Sequence, residues 1–285
     1  MFFRTRMCSN IKKRLFAKAN TLLAGPWVGE FGWEIFCWQG YLRARSREFE
    51  RVIISSRPEM EPLYTDFCHE FIPFICNEPG DSRYKNPCYK HCPDISDQRD
   101  FKEYISGKFD IGYNLHNPPL SSKAFLQQEF CKYGKYNSSL AHDVVLHIRQ
   151  TNKKNSAQRD GWDSDEWYRF VDNLQRKVTC NICCIGDINA SGSLDGCVDM
   201  RGLSLSELFD LLASSRAIVG PSSGPMHLGA LCGCPQVVWS GQRANQYKYE
   251  KYWNPFSVPV KYIHDPDWKP CIDPVVKFTL EILGA

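Results

Sequence analysis

The segment Gly220-Pro-Ser-Ser-Gly-Pro-Met-His-Leu-Gly-Ala-Leu-Cys-Gly-Cys-Pro235 carries the residue types of a phosphate cradle. An apolar run ends at Gly220, small residues follow, and a helix is predicted to begin near Gly224. Ser222 and Ser223 offer hydroxyl donors. The first helical turn offers unpaired backbone N–H groups and a partial positive charge, and together these suit a diphosphate. Gly224 lets a ligand approach the backbone closely, and His227 lies one turn further in, where it can face the same pocket. Gly229, Ala230 and Gly233 are small enough for the helix to pack tightly on its sheet. The same letters also suit an ordinary strand-to-helix turn with an N-cap.

Two other segments hold candidate chemistry. Leu146-His-Ile-Arg-Gln-Thr-Asn-Lys-Lys154 closes an apolar run, enters a basic loop and leads to Arg159-Asp-Gly-Trp-Asp-Ser-Asp-Glu-Trp167. Gly25-Pro-Trp-Val-Gly-Glu-Phe-Gly-Trp-Glu34 follows the first strand, and its Gly29 and Gly32 permit unusual backbone. A departing nucleoside diphosphate gains negative charge, which a positioned Arg or Lys stabilises. An inverting transfer also needs a carboxylate to take the proton of the attacking hydroxyl.

The stretch from Ser222 to Pro235 resembles the donor motif of the heptosyltransferase-like, glycosyltransferase family 9-like group of GT-B enzymes. That motif reads Asp-Thr-Gly, two residues, His, then small residues and Gly-x-Pro. Gly224 and His227 match, Ser223 stands for Thr, and Ser222 stands where the family has Asp. The resemblance implies that Thr151 contacts phosphate and that Arg159 neutralises it, with Arg149 and Lys153 as further cations. It implies that Glu30 is the catalytic base, with Glu34 in reserve, on an acceptor loop that includes Gly29, Phe31, Gly32 and Trp33. His147-Ile-Arg149 is also similar to the His-x-Arg element of fucosyltransferases. The resemblance covers residues 143 to 256 and, in the first half, only the Gly-rich loop. Glu30 as a helix N-terminal acid, His147 as a core histidine and the arginines in surface ion pairs are the plainer readings.

Loops at the carboxyl ends of parallel strands face the ligand crevice. His147, Gly186 and Asp187 are therefore candidates for the nucleotide or sugar pocket, as are Arg243 and Asn245 in the aromatic stretch Gly241–Pro255. Tyr249 and Trp253 of that stretch equally suit an exposed aromatic lid.

The elements that must position these residues fall into two similar α/β patterns. In the first half, strands are predicted at Thr21–Ala24, Arg51–Ser55, Phe71–Cys76 and Phe109–Asn114. Helices are predicted at Glu30–Arg47 and Pro58–His69, and residues 77–100 read as an irregular loop. In the second half, strands are predicted at Asp143–Arg149, Asn181–Ile185, Arg216–Gly220 and Gln236–Trp239. Helices are predicted from Asp163 or Ser164 to Arg176, from the Ser204/Glu207 capping box to Ser214, and at Gly224–Cys232 and Asp273–Leu283. The expectation is an α/β, GT-B-like fold of two Rossmann-like, doubly wound domains facing a cleft. Residues 1–138 form the acceptor domain, 139–270 the nucleotide-sugar donor domain, and 271–285 a helix that crosses back to the first domain.

Bulk properties agree with a soluble globular protein. The chain has 285 residues, 43% hydrophobic and 24% charged, and a net charge of +3, too small to point to nucleic acid. Most of the fourteen Cys read as reduced small hydrophobes of a cytoplasmic protein. Cys88, His91 and Cys92 have the types of half a zinc site without a second pair. No metal is expected, since Asp163-Ser-Asp165 begins a helix. Arg4, Arg6, Lys12, Lys13, Arg14 and Lys18 precede the first acid, Glu30, and suit either a solvated basic helix or a membrane-surface contact. The expected activity is inverting, metal-independent sugar transfer to a hydroxyl of a glycan or glycoconjugate. The nucleotide-sugar serves as co-substrate and no cofactor is needed. A GDP-fucose enzyme and a non-catalytic nucleotide- or glycan-binding module are the alternatives.

Overall fold

The computed structural model describes residues 19–27, 31–74, 113–115, 128–150 and 161–285. The chain divides into two compact units, residues 1–129 and 130–285. The division lies before the expected 138/139 boundary because the intervening residues pack into the second unit. Tyr133 stacks on Phe209 at 4.6 Å, its N–H donates to the Leu231 carbonyl at 3.0 Å, and the Asn137 N–H donates to Ser214 Oγ at 2.7 Å.

The first unit is built on a parallel four-stranded sheet in the order β3-β2-β1-β4. Its strands are β1 (Ala19–Ala24), β2 (Phe49–Ser56), β3 (Glu70–Pro73) and β4 (Tyr113–Leu115). Leu22, Leu23, Ala24, Val52, Ile53 and Ile54 are buried, the continuous apolar pattern of strands covered on both faces. After β1 the chain turns at Gly25, whose φ is +115°; a Cβ there would lie 2.1 Å from the Ser55 carbonyl oxygen. Helix α1 (Phe31–Trp33), a π-helical segment Glu34–Gln39 and α2 (Gly40–Ser46) then follow without a break. Phe31, Gly32 and Trp33, expected on the acceptor loop, therefore form a helical turn, held by the burial of Ile35, Phe36 and Trp38 just beyond it. The predicted helix at 58–69 is instead a 3-10 turn, Pro58–Leu63, because Pro62 inside it has no N–H for an α-helical ladder.

The second unit holds six parallel strands in the order β10-β9-β8-β5-β6-β7. These are β5 (Val144–Leu146), β6 (Ile182–Cys184), β7 (Val198–Asp199), β8 (Ala217–Pro221), β9 (Gln236–Ser240) and β10 (Val260–His264). Both directions start from β5, so the winding reverses between β5 and β8. β10 escaped the sequence reading because it is a half-buried edge strand preceded by Pro259, without a continuous apolar run.

Helix α3 (Ser164–Gln175) is opened by a reciprocal box in which Asp163 accepts from the Glu166 N–H at 3.0 Å and Glu166 accepts from the Asp163 N–H at 2.8 Å. Asp163 thus caps a helix. Ser204 and Glu207 open α4 (Leu205–Ser214) in the same way. Helix α5 (Gly224–Cys232) ends at left-handed Gly233, whose φ is +82°. A short α6 (Ala244–Tyr247) continues into a π-helical turn, Lys248–Tyr252.

The terminal helix α7 (Ile272–Leu283) packs within the second unit. Its Val275, Val276 and Leu283 join the second unit's core of Val144, Leu146, Trp167, Phe170, Val219 and Trp239. Trp162, Trp167 and Trp239 form an aromatic knot with centroids 4.8–5.6 Å apart. Cys183, Cys184, Cys232 and Cys234 are buried as small apolar groups. Among the described residues no helix is long and apolar enough to cross a membrane. The basic N-terminal residues and Cys88, His91 and Cys92 lie outside the described residues.

Phe170 fills this core with no solvent exposure. Phe170→Ala is expected to destabilise the second unit by about 3–5 kcal/mol, read as a lower urea midpoint at unchanged slope. A midpoint equal to that of the wild type would contradict the packing described.

Candidate functional site

Where a doubly wound sheet reverses, the helices on either side part and the carboxyl ends of the two central strands open into a crevice. In the second unit those ends carry His147, just after β5, and the turn Ser222–Ser223 between β8 and α5. The His147 ring is buried. Its Nδ1 lies 2.9 Å from Ser223 Oγ, and its Nε2 lies 3.4 Å from Ser191 Oγ, from the β6–β7 loop. Burial, reinforced by the charge of Arg149, lowers the His147 pKa from the ordinary 6.5 to about 3, so the ring is neutral.

Ser223 is the N-cap of α5, in extended conformation, yet its side chain makes no cap bond to the helix. Its hydroxyl is engaged with His147 instead. Pro225 in the first turn has no N–H, so the donors left at this helix end are the backbone N–H groups of Gly224 and Met226. Ser222 Oγ accepts a hydrogen bond from Tyr249 Oη at 2.9 Å.

Tyr249 is buried on the π-helical turn, and its place is set by His227. The two rings stack at 5.0 Å, and Trp253 meets His227 edge-on at 4.6 Å. Lys248 lies over Trp253 at 5.0 Å and donates to Asn245 Oδ1 at 3.1 Å. Burial and Lys248 lower the His227 pKa to about 3. In this arrangement His227 is the aromatic support of the segment that orients Ser222. Asn245 is likewise buried, and its Nδ2 donates to Ser240 Oγ at 3.1 Å.

The remaining candidates of this unit divide. Arg149 is half-buried beside the crevice and pairs with Ser191 in an isolated β-bridge. Gly186 has φ +129°, and a Cβ there would lie 2.1 Å from Ser191 Oγ. Asp187 is exposed and accepts from the Asn189 N–H at 2.8 Å in a local turn. Arg243 is exposed at the start of α6. Thr151, Lys153 and Arg159 lie outside the described residues. Ser191 was missed, and so was Arg201, which donates to the Ser191 carbonyl at 2.7 Å and pairs with Asp199. Both reach the site through tertiary contacts that leave no local pattern.

In the first unit, Gly29 and Glu30 lie outside the described residues. Glu34 is fully buried. Arg57 Nη2 donates to its Oε2 at 2.9 Å, Tyr64 Oη to its Oε1 at 2.6 Å, and Ser56 Oγ also donates to Oε1. Burial pushes its carboxyl above the ordinary range, against Arg57, Ser56 and Tyr64, which favour the charged form. With no exposure and both oxygens taken, Glu34 is an anchor between the π-helical segment and the end of β2, and its reserve role as base is set aside. Among the described residues no three His, Cys, Asp or Glu gather as metal ligands.

No family model matches the chain, and no curated protein matches it in sequence. Solved structures do. The glycosyl transferase family 9 protein of Veillonella parvula DSM 2008 is similar over 94% of this chain and 98% of its own, with a TM-score of 0.62 at 9% identity. The ADP-heptose LPS heptosyltransferase II of E. coli is similar over 93% and 98%, with a TM-score of 0.56 at 12% identity. The chain has the GT-B-like fold of these proteins.

Both buried histidines bind protons more weakly folded than unfolded. Between the folded value of about 3 and the unfolded 6.5, the unfolded chain takes up protons that the folded one refuses. Their stabilising share is complete above pH 6.5 and is lost as pH falls below it. The melting temperature is therefore expected to drop between pH 6.5 and 4.5, a window above the ordinary carboxylate titrations. His227→Phe should flatten that slope; an unchanged slope would argue against a neutral buried ring.

Proposed function

We propose that the chain is a glycosyltransferase that holds a nucleoside-diphosphate sugar in its second unit and transfers the sugar to a hydroxyl of a glycan or glycoconjugate. The observation that carries this reading is the turn at the β5/β8 reversal. There the N-cap Ser223 leaves α5 without a side-chain cap, beside a second hydroxyl on Ser222. Uncapped N–H groups, two hydroxyls and a helix dipole favour a diphosphate. The shared fold supports the reading.

Chemistry then follows from the charges. As the bond from the anomeric carbon to phosphate breaks, negative charge grows on the leaving diphosphate, and donors already aimed at it stabilise that charge without reorganising. Arg149 beside the crevice, and Thr151, Lys153 and Arg159 in the sequence that follows it, are proposed to add to this. Glu30, on the first unit, is proposed to take the proton of the acceptor hydroxyl, with inversion and without a metal. The GDP-fucose alternative rested on His147 and Arg149; the His147 ring is occupied by two serines, which favours the first reading. The E. coli structure is named for ADP-heptose, so ADP and ADP-heptose are the first ligands to test.

A thermal-shift series with ADP, UDP, GDP, CMP and dTDP is expected to single out one nucleotide, worth about 2.7 kcal/mol at a hundredfold excess over Kd. With the matching donor, Glu30→Gln is expected to lower kcat by about 10²–10⁴-fold while leaving donor affinity unchanged. No shift with any nucleotide would overturn the donor site. A shift with unchanged turnover in the Glu30→Gln variant would remove Glu30 as base, and a shift without turnover in the wild type would leave a binding module.

A further inference from the structure

We propose that His147 is a positioning residue that sets the direction of a Ser191–His147–Ser223 hydrogen-bond chain, so that the Ser223 hydroxyl donates outward to an anion at the amino end of α5. The inference rests on the donor-site reading above and adds to it how the site acquires its donors.

An N-cap serine ordinarily turns its oxygen onto the N–H of the second or third helical residue. Ser223 does not, although it holds the N-cap position with φ −163° and ψ 175°. Its second helical residue is Pro225, which has no N–H to offer, and its Oγ sits 2.9 Å from His147 Nδ1. The other ring nitrogen faces Ser191 Oγ at 3.4 Å. The ring therefore joins two hydroxyls brought together from the β6–β7 loop and the β8–α5 turn.

A neutral imidazole has one N–H and one lone pair, so this chain has two directions. In the first, Ser191 donates to Nε2, Nδ1–H donates to Ser223 Oγ, and the Ser223 hydrogen is left for a ligand. In the second, Ser223 donates to Nδ1 and turns its lone pairs toward the ligand. An anion accepts from the first and is repelled by the second. Burial and the charge of Arg149 exclude the imidazolium, so the choice is one of tautomer and not of charge. Ser222 obeys the same logic, because Tyr249 donates to its oxygen and its own hydrogen remains available to another acceptor.

The far end of the chain is built to hold Ser191 still. Arg201 Nη1 donates to the Ser191 carbonyl at 2.7 Å, and Arg201 is itself paired with Asp199. Arg149 closes a β-bridge to Ser191. At position 186 a Cβ would lie 2.1 Å from Ser191 Oγ and 3.3 Å from His147 Cδ2, so only glycine leaves room for the pair.

Inorganic pyrophosphate tests this without a choice of base or sugar. In His147→Asn, an amide N–H can replace Nδ1–H toward Ser223; His147→Leu leaves no donor. By calorimetry on the full chain, His147→Leu is expected to weaken pyrophosphate at least about tenfold and His147→Asn by no more than about threefold. In wild type labelled with ¹⁵N-histidine, pyrophosphate should move His147 to the Nδ1–H tautomer. Equal affinity of wild type and His147→Leu, equal losses in both variants, or an unprotonated Nδ1 in the complex would overturn the proposal; should the Leu variant fail to fold, the tautomer decides. If wild type binds neither pyrophosphate nor any nucleoside diphosphate, the donor-site reading falls first.

Discussion

A parallel sheet wound in both directions from one central strand cannot be covered evenly, and the second unit is organised around that constraint. The winding reverses between β5 and β8, and the chain ends its two central strands there in groups that need partners. His147 and Ser223 supply those partners to each other across the gap. A polar side chain buried at a strand end costs free energy unless hydrogen-bonded, and the His147 ring meets that requirement on both nitrogens. The close approach is possible because Gly220 lies alongside: a Cβ there would sit 2.8 Å from the His147 carbonyl oxygen. The local chemistry is thus a consequence of topology, and the small residues around it are what the topology requires.

The first unit solves a similar problem with charge. Glu34 is drawn out of water at the point where the helical stretch passes the end of β2. Its two oxygens receive Arg57, Tyr64 and Ser56. Desolvation of that carboxylate is large, and only a full set of donors makes it tolerable. The wide π-helical turn in which Glu34 sits is rare and marks a helix adapting to its surroundings. Here it keeps the carboxylate on Arg57 while Ile35, Phe36 and Trp38 enter the core. A group so fully engaged fixes the entry to the helix that follows Glu30.

Much of this was legible in the sequence, for reasons that differ by element. The buried strands β5, β6, β8 and β9 are continuous apolar runs, and α3 and α4 announce themselves by Asp163/Glu166 and Ser204/Glu207, so periodicity and caps suffice. The Ser222–Gly224 turn was legible because a strand-to-helix connection needs small residues in a short span. What local pattern could not show is what depends on distant partners. His147 has a different meaning once Ser191 and Ser223 are beside it, and nothing in the spacing of the three residues indicates that they meet. Glu34 read as a reserve base because its neighbours in sequence are a Gly-rich loop; its partners Ser56, Arg57 and Tyr64 come from β2 and beyond. Pro62 shows the opposite case, a local signal underweighted in a stretch that otherwise looked helical.

Serine at 222, where the resembling heptosyltransferase motif has Asp, follows from the same physical picture. A carboxylate at 222 would stand in the turn that is proposed to receive a diphosphate, and would need a cation or several donors to be stable there. Tyr249, which donates to Ser222, is held between His227 and the rest of an aromatic cluster. Tyr249 is buried, and burial keeps its hydroxyl protonated, raising its pKa beyond the ordinary 10. A protonated phenol donates readily to a neutral serine, whereas a carboxylate at 222 would compete with a diphosphate for the N–H groups of the same turn and repel it. Serine at 222 is therefore the residue that this aromatic neighbourhood can satisfy, and it leaves the turn free of negative charge. The position of a single hydroxyl thus depends on a stacked histidine three residues into the helix, through the phenol that the histidine holds in place.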